Sequence, residues 1–159
     1  MLKVFSRSNE VEQRLKSEEL LPLTDDTPVV RTDFEDDAAW NAVCNIIRQP
    51  VNDHGEDFFA YVEFVESPNF RNRTEKEVLA MVPREFPHSF LFIVDKTAIE
   101  GPEFPILVMD LFDKPGRTFR VIPSQIQGVQ NNLSIANMDF HEFADNVDLD
   151  GIFRGFREL

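Results

Sequence analysis

The sequence predicts a single α/β domain: a mixed sheet of about five strands with helices packed on it and a short helical segment near the C-terminus. Three observations carry this expectation. Apolar runs of strand length alternate with helical patterns between Val29 and Val94, in the order strand, helix, strand, helix, strand. Two continuous apolar runs, Phe90–Val94 and Phe104–Phe112, have the composition of strands covered on both faces. The link between those runs is only about ten residues and holds Gly101 and Pro102, which is short for a crossover helix. The two strands are therefore expected to be antiparallel neighbours at a hairpin edge.

Residues 1–20 form a charged N-terminal extension, and the domain is expected to run from 21 to 159. Val11 and Leu15 have helical spacing, which suits a short helix or a loose tail. Leu21-Pro22-Leu23-Thr24-Asp25-Asp26 has turn composition. A first strand follows from Val29 to Phe34, with Pro28 tolerated at its start. Asp36 stands where an N-cap belongs, and Trp40, Val43, Cys44 and Ile47 fall at helical spacing behind it. Pro50 ends that helix at Gln49. Asn52 to Asp57 is expected as a polar loop, and Phe58 to Glu66 as a β segment in which Tyr61, Glu63 and Val65 alternate with Val62, Phe64 and Glu66.

Thr74-Glu75-Lys76-Glu77 has the capping-box pattern and opens a helix through Val78, Leu79 and Val82, stopped by Pro83. Lys114-Pro115-Gly116 is a turn, and Thr118 to Ile122 the fifth strand, closing a meander. Pro123 to Asn132 suits either a short helix or an irregular connection. Asp139-Phe140-His141-Glu142 repeats the cap-plus-acid pattern, and Phe140, Phe143, Ala144 and Val147 make an apolar face behind it. Ile152, Phe153 and Phe156 suggest a last short helix or turn docked on the core.

A net charge of −13 repels nucleic-acid backbones and anionic membrane surfaces, so neither is an expected partner. The charge leaves a protein partner with a basic surface, a cation or a small molecule. With one cysteine, Cys44, no internal disulfide can form, and the fold does not need an oxidising compartment. Cys44 lies on the apolar side of its helix, the position of a core residue rather than a nucleophile. The first residues lack the apolar run of a signal peptide, and no stretch approaches the roughly 18 apolar residues of a spanning helix. Cytoplasmic location is the expectation.

If the first three strands are parallel, their C-terminal ends place Asp33–Asp37, Glu66 and Asp95 on one edge of the sheet. Carboxylates gathered at such an edge suit a divalent cation, which needs several oxygen ligands, or an acid–base pair. The same residues have structural readings too: Asp36 as a helix cap and Asp37 at the positive end of the helix dipole. Asn146 to Gly151 resembles the start of a calcium loop, yet Arg154 and Arg157 would occupy ligand positions, so an Asp/Gly turn is expected instead. His54, His88 and His141 lack ligand spacing, and the chain has neither a nucleophile elbow nor a glycine-rich phosphate loop. Asn131 and Asn132 open a stretch in which amides interleave with apolar residues. Such amides hold backbone or a ligand, and any pocket is expected to be lined by this segment together with Arg31 or the first acidic turn. The phenylalanines of Phe86–Phe90 and Gly101–Pro105 suit core positions or an exposed partner patch.

Leu21 to Thr27, Arg31-Thr32-Asp33-Phe34-Glu35-Asp36-Asp37-Ala38-Ala39-Trp40, Asn131 to Phe143, and Asp150 to Phe156 together resemble an uncharacterised domain family of small soluble, mainly bacterial proteins. The resemblance covers about residues 20–156. It implies one compact domain and supplies no activity, cofactor or catalytic residue. From the residues themselves, the favoured expectation is a non-enzymatic module that binds a protein partner with a basic surface, with no cofactor. The alternative is a small enzyme or a cation-dependent ligand binder using Arg31, Asp33, Asp36, Asp37, Glu66 and Asp95, with Asn131 and Asn132. Neither reading specifies an oligomeric state.

Overall fold

The structure, a computed structural model, describes residues 20–157. The helix or tail expected around Val11 and Leu15 lies outside the described residues.

Strand β1 (Thr27–Arg31) is buried along its whole length. It is shorter than expected, because the N–H groups of Thr32 and Asp33 both turn to the Val94 carbonyl as the chain leaves the sheet. Helix α1 (Asp37–Arg48) follows, and its buried stripe is Trp40, Val43, Cys44 and Ile47, as the spacing predicts. Asn52 to Asp57 is not a plain loop. It forms a hairpin of β2 (Val51–Asp53) and β3 (Glu56–Phe58), whose two turn residues, His54 and Gly55, both take positive φ, 51° and 86°. That geometry matches the twist of a two-residue hairpin connection. Its strands have three residues each and one apolar pair, Val51 and Phe58, too little to show an alternation.

Strand β4 (Val62–Val65) leads through a 3₁₀ turn at Pro68–Phe70 to α2 (Glu75–Ala80), where both halves of the Thr74–Glu77 capping box are formed. The helix stops at Ala80 rather than reaching Val82. Strand β5 (Phe90–Val94) is wholly buried and is followed by a short helix, α3 (Lys96–Glu100), in the link expected to lack one. Even so, β5 and β6 (Ile106–Asp110) pair antiparallel, as do β6 and β7 (Thr118–Val121). A 3₁₀ turn at Pro123–Gln125 runs into α4 (Ile126–Ser134), and α5 (Phe140–Ala144) starts at the Asp139 capping box. The final segment is a correction. Ile152–Phe153 is a strand, β8, parallel to β7, and the sheet has six strands instead of five.

The order is β4-β1-β5-β6-β7-β8, with β4, β1 and β5 parallel. The first crossover, β1 to β4, passes over the face covered by α1, and the return from β4 to β5 passes over the face covered by α2. Right-handed crossovers running in opposite directions must use opposite faces. One face buries Val29, Phe92, Val108 and Phe119 under α1, α4 and α5; the other buries Val30, Leu91, Ile93 and Met109 under α2. This two-sided cover explains why β5 and β6 lack alternation. Phe119 packs edge-on against Phe140 and Phe153 and stacks on Phe143, which ties α5 and β8 to the sheet.

Two local devices close the antiparallel half. Asp110 is buried, and its carboxylate accepts the N–H groups of Phe112, Asp113 and Lys114, holding the β6–β7 turn. Arg154 gathers Glu103, Asp148 and Asp150 at 2.7–2.9 Å just after β8, and Arg157 joins Asp148. The Asn146–Gly151 stretch is thus a turn that feeds β8, with Gly151 at φ 82° and the Asp148 N–H on the Ile152 carbonyl.

Hydrogen bonds from Arg154 hold Glu103, Asp148 and Asp150 below their ordinary values of 4.5, 3.8 and 3.8. Groups depressed in the folded state contribute stability above the unfolded pKa and lose it as pH falls through the folded one. The difference in Tm between the native chain and Arg154→Ala should therefore be greatest above about pH 5 and shrink as pH drops below about 4. A gap that stays constant across that range in thermal melts would remove these ion pairs from the account of β8.

Candidate functional site

The parallel strands do bring Arg31, Asp33, Asp36, Asp37, Glu66 and Asp95 to one end of the sheet. What organises this end is Arg31, whose side chain is only 5% exposed. Its Nη2 donates to Asp37 at 2.7 Å, its Nη1 lies 3.5 Å from Glu66, and its Nε donates to the Asp33 carbonyl at 2.9 Å. The guanidinium also lies over the rings of Phe34 and Trp40, at 4.5 and 5.2 Å. A cation withdrawn from water needs such partners on every side.

The other acids are engaged separately. Asp36 accepts the Ala39 N–H at 2.9 Å and caps α1. Asp33 is nearly buried, and one carboxylate oxygen accepts the Glu35 N–H in a local turn. Asp95 caps α3 through the Ala98 N–H and takes both terminal nitrogens of Arg120, at 2.9 and 2.7 Å. Between the ends of β1 and β5, where the connections leave in opposite directions, is a polar crevice of about 420 Å³ bordered by Thr32, Asp33, Asn72, Asp95 and Thr97. Among the described residues, no group of three or more His, Cys, Asp or Glu side chains is placed to hold a metal ion.

Asn131 and Asn132 lie at the opposite end of the sheet, on α4. The segment from Leu133 to Asp139 does line a cavity, of about 570 Å³, with Pro87 to Phe90 and Asp110. Arg31 and the acidic turn take no part in it, because the cavity opens at the start of β5 and they sit beside its end. Asn132 donates to the Gly128 carbonyl and accepts from Asn137, both contacts within the helix and its exit turn. The histidines stay apart: His88 contacts the Thr24 carbonyl, His54 sits on the β2–β3 turn, and His141 on α5. Burial pushes the Cys44 thiol up to about 11, so it is held in the unreactive protonated form.

A feature outside the expected residue set emerges where α4 meets the chain ahead of β4. Gln130 is buried, accepts the Tyr61 N–H at 2.9 Å and donates to Thr27 at 3.3 Å. Asn131 donates to the Phe59 carbonyl at 3.0 Å. With backbone groups of Phe59 and Tyr61 held by α4, this connecting stretch and the end of β3 leave Phe58, Phe59 and Tyr61 39%, 47% and 61% exposed. Exposed acids flank it in the chain: Asp53, Glu56 and Asp57 on the hairpin, where Asp53 lies 3.4 Å from His54 and Asp57 accepts from Asn52, and Glu63 on β4. The nearby cation Arg48 lies over the Phe64 ring at 4.5 Å. The available signal was the run Phe58-Phe59-Ala60-Tyr61 directly after an acidic stretch, absorbed here into one long expected strand.

Residues 26–156 match the model of a family described as a domain of unknown function, DUF6924. No curated protein and no solved structure matches the chain. No helix among the described residues is long and apolar enough to cross a membrane.

The roles of the two adjacent aspartates separate by mutation. Asp36→Ala should lower stability by about 1 kcal/mol through the lost cap. Asp37→Ala should cost more, since it removes the 2.7 Å partner of a guanidinium only 5% exposed and leaves it the looser 3.5 Å contact with Glu66. Equal losses in chemical denaturation would contradict the distinction.

Proposed function

We propose that the chain, which belongs to the DUF6924 family of domains of unknown function, is a non-catalytic module that binds a basic segment of a protein partner. The observation that carries this reading is the held aromatic stretch Phe58–Tyr61 beside the acidic hairpin. Aromatic side chains supply large contact areas, and a stretch already held by Gln130 and Asn131 has less backbone entropy left to lose on binding. The carboxylates of Asp53, Glu56, Asp57 and Glu63 favour a cationic partner and raise its rate of encounter. The acids at the far end of the sheet support the same conclusion from the other side. Each is committed to a cap, a turn or an arginine, which leaves no pair poised as acid and base.

One observation favours a second reading, a small polar ligand in the crevice between β1 and β5. Asp33 borders it, and its second carboxylate oxygen accepts no hydrogen bond from the described residues. Under that reading a screen of small amines and divalent cations should give a saturable thermal shift that Asp33→Asn removes. A shift that survives Asp33→Asn would place the ligand elsewhere.

The primary reading is tested by site-specific photocrosslinking in cell extract. A photoreactive residue at position 59 or 61 should give discrete adducts with a basic protein that weaken as salt is raised. The same residue at Leu149, fully exposed near the opposite sheet edge, should not. Adducts of equal yield from position 149, or adducts indifferent to salt, would overturn the reading.

A further inference from the structure

We infer that β4 is the docking edge, and that the basic partner segment adds to it as an extended strand with alternating basic and apolar residues. The inference rests on the reading above and specifies how that partner binds. The inner edge of β4 pairs with β1 from Thr27↔Val62 to Val30↔Val65, and its outer edge pairs with no described strand. Proteins usually blunt such an edge with proline, lysine, a bulge or a covering segment. Here the strand is Val-Glu-Phe-Val, with neither proline nor lysine; its short length and the exposed charge of Glu63 are its protection, and a basic chain would neutralise that charge.

Its side chains suit an added neighbour. Val62 and Phe64 face the α1 side and remain half-buried, with Phe64 held edge-on by Trp40 and covered by Arg48. Glu63 faces the other side and is exposed. Because side chains alternate across a strand, an incoming chain would set apolar residues beside Val62 and Phe64 and basic residues beside Glu63. The stretch with Phe59 and Tyr61 leads directly into β4, so the anchor and the edge are contiguous in the chain. Charge also selects the occupant. A second copy aligned edge to edge would oppose Glu63 and the hairpin acids to themselves, whereas a basic strand would neutralise them. The opposite edge strand, β8, has only two residues and is flanked by the arginine-bound acids around Arg154.

The test uses the full chain and a short synthetic peptide of alternating Lys and Val, compared with a peptide of the same composition in two blocks. The alternating peptide should bind saturably by calorimetry and protect the amides of Val62–Val65 from hydrogen exchange. Glu63→Lys, at an exposed position, should weaken it by about fivefold or more with an unchanged Tm, and Glu63→Gln by less. N-methylation of the peptide at alternate residues separates the two levels of the argument. One methylated set should abolish binding and the other should leave it intact, since only one set of N–H groups faces β4. Equal binding by both methylated sets, with the protein still binding basic peptides, would overturn strand addition and leave the broader reading standing. Absence of binding by every basic peptide would overturn both.

Discussion

The buried guanidinium of Arg31 is the constraint around which the polar end of the sheet is arranged. It ends the most central parallel strand, where a cation has little water to solvate it, and burial of an uncompensated charge costs several kcal/mol. The chain answers with carboxylates from two directions: Asp37 at the first turn of α1 and Glu66 just past β4. The rings of Phe34 and Trp40 cover the guanidinium, and the Asp33 carbonyl fixes its Nε. Two of the acids that resemble a catalytic edge in the sequence, Asp37 and Glu66, are thus its counterions. Arg120 plays the same part for Asp95, one strand pair away. An arginine therefore stands behind much of this edge's acidity, and arginine does not titrate in the range where proteins work.

That end of the sheet is also where helices start. Asp36 and Asp95 each end a strand exit and cap the helix that follows, so the turn from parallel strand to helix is made twice with one device. Asp33 borders the crevice, and one of its carboxylate oxygens accepts no hydrogen bond from the described residues. The surface with more contact potential lies at the opposite end, where α4 uses its amides to hold the chain ahead of β4. Gln130 accepts the Tyr61 N–H and Asn131 donates to the Phe59 carbonyl, while their remaining bonds run to Thr27, to Gln127 and to each other.

The division between what the sequence makes legible and what it hides follows physical range. Elements announced by local chemistry appear where expected. The Asp36 cap, the Thr74–Glu77 box, Pro50, and the apolar runs of β5 and β6 all act within a few residues of where they stand. The parallel order of β1, β4 and β5 follows from the alternation with helices. Elements defined by partners far along the chain are the ones missed. Ile152–Phe153 is too short to show a period, and becomes a strand only because Arg120 and Val121 lie beside it. The β2–β3 hairpin has one apolar pair and depends on two positive-φ turn residues, one of them a histidine. At the candidate site, the residue identities were legible but their partners were not. Nothing local to Asp95 points to Arg120, and nothing local to Asn131 points to Phe59.

The two ends of the strand order show how differently a sheet can finish. β8 closes beside a knot of ion pairs in which Arg154 binds three acids, and a strand of two residues offers little to a newcomer. β4 is twice as long, carries half-buried apolar side chains on one face and an exposed glutamate on the other, and follows the aromatic stretch held by α4. A protein with a net charge of −13 has acid to spare for solubility, so charge alone does not mark a binding surface. What marks the proposed one is the coincidence of an edge that pairs with no described strand, exposed aromatic side chains on a held backbone, and exposed carboxylates within one short stretch of chain. Each has a mundane explanation alone, and a basic extended segment is a partner that would satisfy all three.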